Sequence, residues 1–96
     1  MKFRRVVITG LGAVTPIGND VPTYWDNLLN GVGGSAPITL FDSSAFKTHF
    51  ACEVKGFNPE EEFDRKELKK YDRYVQFALK ATREAIADSA LAVESI

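Results

Sequence analysis

Apolar residues recur along the chain with more than one period, and each change of period marks an element. Val6, Val7 and Ile8 form an unalternating run closed by Thr9. β-Branched residues fit a pleated surface, and a run without alternation predicts a strand enclosed on both faces. Such strands lie inside sheets sandwiched by helices, so the opening points to the α/β class. Val21, Trp25, Leu28, Leu29 and Val32 then fall on one helical stripe. Asn19 or Asp20 can cap this helix, Pro22 fits its first turn, and Gly31 can end it in a left-handed conformation. Trp25 is expected to anchor the helix in the core.

Turn chemistry dominates residues 33–48, from Gly33-Gly34-Ser35 through Pro37 to Phe41-Asp42-Ser43-Ser44. A loop this long should hold itself down with apolar pins: Ile38, Leu40, Phe41 and Phe46. Thr48 to Phe57 predicts an irregular strand, with Phe50, Cys52 and Val54 alternating against polar neighbours. The last element is a long helix whose stripe runs through Tyr71, Tyr74, Val75, Ala78, Leu79, Thr82, Ala85, Ile86 and Ser89. Asp72 suits its positive end, and Lys80 with Glu84 forms an expected surface pair. Phe77 lies off the stripe and needs cover from elsewhere.

Gly10-Leu11-Gly12 follows the first strand and raises the question of a dinucleotide-binding turn. The third glycine position of that motif holds Thr15, Pro16 follows, and no acidic residue closes a second strand to hold a ribose. No lysine follows a glycine as a phosphate loop requires. The simpler reading is that Gly10 and Gly12 let the backbone run tightly against neighbouring chain. Cys52 sits mid-strand on the apolar phase, where a free thiol is ordinarily a small buried hydrophobe, and His49 is expected at the surface. On a helix, Lys66, Lys69, Lys70 and Arg73 would share one cationic face, with Leu68 and Tyr71 as anchors. That face is either a solvated surface balanced by Glu60 to Asp64 or a landing site for an acidic partner.

Composition narrows the partners. A net charge of −1 gives no global pull toward nucleic acid or anionic membrane, so electrostatic recognition has to be local. No apolar run approaches the length of a membrane helix, and no secretory signal is expected at the N-terminus. A single cysteine excludes an internal disulfide and fits the cytoplasm.

The run Val6-Val7-Ile8-Thr9-Gly10-Leu11-Gly12-Ala13-Val14-Thr15-Pro16-Ile17-Gly18 resembles the opening of the β-ketoacyl-acyl-carrier-protein synthases, in particular the type II elongating enzymes of fatty acid synthesis. Trp25-x-x-Leu28-Leu29-x-Gly31, Phe41-Asp42-x-Ser44 and Lys66-Glu67-x-Lys69-Lys70-x-Asp72 follow in order, so the likeness covers essentially the whole chain. The resemblance implies a thiolase-like layered α/β/α/β/α fold, with residues 1–96 as the N-terminal part of one ketosynthase domain. It implies decarboxylative Claisen condensation of an acyl thioester with malonyl-acyl carrier protein, without a cofactor or metal, in a homodimer. It places the catalytic Cys and His residues downstream, so this segment is expected to carry none and to be inactive alone. Lys66, Lys69 and Lys70 match a basic patch for acyl carrier protein, and Arg65 and Arg73 are physical neighbours added to it. Where the family ends its helix on Asp-Ser-Gly-Leu, this chain has Asp88-Ser89-Ala90-Leu91. A non-catalytic chain-length-factor relative, a truncated carrier-binding fragment and, more distantly, a nucleotide-binding oxidoreductase are the other readings. The family's chains are several times longer, so a fragment or a truncated product is expected.

Overall fold

In the computed structural model, which describes residues 2–92 and Glu94, the helices begin where the sequence supplies caps. Asp20 accepts the Thr23 N–H at 2.7 Å and opens α1 (Val21–Leu29), with Pro22 in the first turn. The Thr23 hydrogen bonds hold the Asp20 carboxyl below its ordinary value. Gly31 follows the helix at φ 70°, the left-handed conformation expected of it. Two short helices, α2 (Pro59–Glu62) and α3 (Arg65–Lys70), precede the long α4 (Arg73–Ser89). Between α1 and α2, β1 (Ala36–Pro37) pairs antiparallel with β2 (Phe50–Ala51), Ala36 facing Ala51.

Several expectations are corrected. Val6 to Thr9 forms no strand, because among the described residues no segment offers it a backbone ladder. The chain just beyond it is held by side chains instead. The Leu11 N–H donates to Asp88 Oδ2 at 3.0 Å, and the Ala13 N–H donates to Glu84 Oε1 at 2.9 Å. Glu84 Oε2 also accepts the Val21 N–H at 2.8 Å, so one carboxylate ties the glycine segment and the start of α1 to α4. The expected Lys80–Glu84 pair is therefore absent; Lys80 binds Glu62 at 2.8 Å. The approach of the segment to α4 is backbone on backbone. A Cβ on Gly12 would collide with the Ala81 carbonyl, and one on Gly10 with the Ala85 carbonyl, as the tight-packing reading of these glycines anticipates.

The strand expected from Thr48 to Phe57 shrinks to Phe50–Ala51. Ile38 N–H reaches the His49 carbonyl, but beyond it the Thr39 and Leu40 N–H groups donate to the Glu53 carboxylate rather than to a ladder. Phe41 and Phe46 pack edge to face at 5.8 Å, pinning the loop on itself while both stay exposed. Cys52 is exposed, not buried. Trp25 is 56% exposed and anchors nothing in a core, since nothing among the described residues encloses it.

What core there is lies between α4 and the α2–α3 hairpin. Phe57 and Phe63 are buried, and Phe57 meets Phe77 edge to face at 5.0 Å, supplying the cover Phe77 lacked. Elsewhere apolar surface is open: Val6 is 90% and Ile8 81% exposed. The Cα radius of gyration is 17.1 Å, against about 12 Å for a closed domain of this length. The accessible surface of 7916 Å² likewise exceeds the roughly 5,500 Å² expected for this mass. These residues do not close a core by themselves.

α4 ends at Ser89, with Ala90 left-handed at φ 57°, so the missing glycine leaves the helix end in place and forces a Cβ into the unfavourable region. Ala90→Gly should stabilise the protein by about 1 kcal/mol, read as a higher unfolding midpoint. Glu84→Ala should destabilise it by about 2–4 kcal/mol, because two partly buried N–H groups lose a charged acceptor. Chemical denaturation of the full natural chain measures both.

Candidate functional site

The basic stretch folds as a capped single turn and a half. Asp64 accepts the Glu67 N–H at 2.9 Å, and the Asp64 N–H lies 3.4 Å from Glu67 Oε1, a reciprocal box that starts α3. Lys66, Lys69 and Lys70 then fall at one, four and five positions along the helix after its first residue, on one exposed side, with Arg65 exposed beside them. Leu68 and Tyr71 are partly buried, and Tyr71 meets Phe63 edge to face at 6.1 Å, anchoring the hairpin as expected. Among the described residues, Arg65, Lys66, Lys69 and Lys70 form no ion pair.

Arg73 does not continue that face. Tyr71 is extended at φ −107°, and its carbonyl is taken by Gln76 Nε2 at 3.1 Å, so α3 stops and Arg73 begins α4. Its guanidinium lies 4.9 Å from the Phe77 ring centre and donates to the Val54 carbonyl at 3.3 Å. Arg73 thus serves packing at the edge of the patch while remaining exposed.

The glycine segment cannot cradle a phosphate. A dinucleotide site aims free backbone N–H groups at the pyrophosphate. Here the Leu11, Ala13 and Val21 N–H groups are taken by Asp88 and Glu84, and the Thr23 N–H by Asp20. Carboxylates stand where an anion would have to bind. The adjoining cleft, about 400 Å³, is bordered by Pro16, Asn19, Asp20, Asn27 and Lys55. Lys55 Nζ donates to the carbonyls of Pro16, Gly34 and Glu53, which uses up its donors on the fold. His49 is at the surface, its Nδ1 3.0 Å from the Ser43 carbonyl, and Cys52 is exposed.

Sequence reasoning gave Glu84 a different partner, saw Asp88 only as part of the helix ending and passed over Arg83; the two acids hold the glycine segment. Their signal was geometric: two positions along an extended segment span about 6.6 Å, and four along a helix about 6 Å. Carboxylates four apart, as at Glu84 and Asp88, can therefore meet the N–H groups of Leu11 and Ala13.

Comparison with known proteins bears out the family resemblance read from the sequence. Residues 3–96 match the model of the β-ketoacyl synthase N-terminal domain. The chain is 50% identical over 88 residues to 3-oxoacyl-[acyl-carrier-protein] synthase 2 of Staphylococcus aureus (strain COL), covering 92% of this chain and 21% of that protein. It is 50% identical over 93 residues to the synthase of the same name from Coxiella burnetii, covering 97% of this chain and 22% of that protein. Among solved structures, the ishigamide ketosynthase/chain length factor superposes with a TM-score of 0.86 at 38% identity, covering 97% of this chain and 23% of that one. The chain spans about a fifth of the length of these relatives, as 21–23% coverage of each states. It belongs to the β-ketoacyl synthase family, of which it matches the N-terminal domain.

Proposed function

We propose that these residues form the N-terminal part of a 3-oxoacyl-[acyl-carrier-protein] synthase of fatty acid elongation, within a thiolase-like α/β/α/β/α domain that works as a cytoplasmic homodimer. The observation that carries this reading is 50% identity over 92% of the chain to a synthase of that name. In the reaction, the acyl group is held as a cysteine thioester, and malonyl-acyl carrier protein loses carbon dioxide to give a carbanion. The carbanion attacks the thioester carbonyl and expels the cysteine thiolate, leaving a β-ketoacyl product two carbons longer. Neither Cys52 nor His49 has the placement for this chemistry, so the segment alone is inactive. Its contribution is a folded glycine segment and a carrier-protein landing surface built on Lys66, Lys69 and Lys70, with Arg65 beside them and Arg73 at the edge. Unpaired lysines on one side of a short, well-capped helix suit an acidic helix of a carrier protein, and such rim charges govern encounter rate and salt dependence. The 38% identity to a ketosynthase/chain length factor favours a non-catalytic partner subunit as the second reading. Condensing activity of the full natural chain, abolished by replacing its nucleophilic cysteine, separates the two.

Lys69→Glu combined with Lys70→Glu in the full natural chain should weaken acyl-carrier-protein binding more than about tenfold at low salt, by fluorescence anisotropy, and much less at high salt. An unchanged dissociation constant would refute the docking surface. Residues 1–96 expressed alone should bind the dye ANS and self-associate through the open Val6–Ile8 and Trp25 face. Well-dispersed amide resonances from a monomer would contradict that.

A further inference from the structure

The α2–α3 hairpin is rich in both signs of charge, yet its positive and negative groups are handled differently. Lys66, Lys69 and Lys70 are exposed and form no ion pair among the described residues, whereas Glu62, Asp64 and Glu67 are engaged and Asp72 is exposed at the start of α4. Asp64 caps α3. Glu62 Oε1 binds Lys80 Nζ at 2.8 Å, and Glu67 Oε2 lies 3.8 Å from Arg83 Nη2. Glu60 and Glu61 stand apart in the first turn of α2, with Glu61 near the Asn58 amide.

Lys80 and Arg83 are three apart on α4 and reach the hairpin together. Arg83 stacks on Phe63 at 4.8 Å and donates to the Glu62 carbonyl at 2.9 Å, while Lys80 Nζ lies 5.7 Å from the Phe57 ring centre. The Arg83–Glu67 pair is long and half exposed, a geometry that contributes little to stability. Its effect is on where charge is presented. Glu67 adjoins Lys66 in sequence and stands three residues before Lys70, close enough on a helix to pair with that lysine if released.

We infer that, with the carrier protein docking on α3 as proposed above, Lys80 and Arg83 are positioning residues for that surface. They hold the hairpin on α4 by its aromatic side and engage Glu62 and Glu67, so that neither carboxylate competes with an acidic carrier for the α3 lysines. Removing Arg83 frees the Glu67 carboxylate to compete with the carrier for Lys70.

The test is a double-mutant cycle on the full natural chain, with holo-acyl carrier protein as the titrant. Arg83→Met should weaken binding about threefold to fivefold near 0.05 M salt. The loss should nearly vanish near 0.5 M, where the screening length is about 4 Å. Glu67→Gln, which keeps the capping-box geometry, should change little alone but restore affinity in the Arg83→Met background. That non-additivity is the expected result. Equal gains from Glu67→Gln in both backgrounds would mean only net charge matters, and would overturn the inference. A loss from Arg83→Met that is equal at both salts and unrelieved by Glu67→Gln would mean a merely structural role, and would overturn it too. The Lys69→Glu, Lys70→Glu variant serves as control: if it binds normally, the docking surface itself is wrong and the inference falls with it.

Discussion

The arrangement depends on one carboxylate. Glu84 accepts two backbone N–H groups, from Ala13 and from Val21, that belong to segments on either side of the Thr15–Gly18 turn. A carboxylate has lone pairs enough for both, and the charge strengthens each bond roughly twofold over a neutral acceptor. With Asp88 one turn along taking the Leu11 N–H, the two acids read out alternate donors of an extended chain. The absence of side chains at Gly10 and Gly12 is what permits the approach, since a Cβ at either would strike the α4 backbone. Small residues and acids at fixed offsets thus replace a β-ladder as the tie between the first segment and the rest.

α4 carries this load together with a second one. Its acids hold the glycine segment and α1, and its cations, Lys80 and Arg83, hold the α2–α3 hairpin. The same 17-residue helix therefore sets the position of the family's opening motif and of the basic surface proposed to receive the carrier. Between them lie Phe57 and Phe63, the buried hydrophobic residues among those described, edge to face with Phe77 and Tyr71 respectively.

The sequence was most informative where local chemistry decides structure. The Asp20 cap, Pro22, the left-handed Gly31, the extent of α1 and the existence of α4 follow from side chains acting within a few residues. The α3 lysines and their anchors were legible for the same reason. What failed were statements about burial and pairing. Val6–Thr9 and Trp25 have the composition of enclosed residues, but enclosure is a property of whatever packs on them. Lys80 had Glu84 at the favoured helical spacing and binds Glu62 instead, because Glu84 satisfies two N–H groups that would otherwise lack a strong acceptor. The break between Lys70 and Arg73 was hidden because no proline or glycine marks it. A glutamine side chain capturing the Tyr71 carbonyl does the work of a breaker.

The long reach of the Asp88–Leu11 bond, across 77 residues, bears on how the molecule comes into being. A ribosome adding about 5–20 residues per second needs roughly 4–15 seconds to cover that separation. Until it has done so, the apolar run Val6–Ile8 exists without the acids that fasten its neighbours. The tie between the glycine segment and α4 is thus a late event in synthesis, closed only when residues from the far end of the described chain have been added.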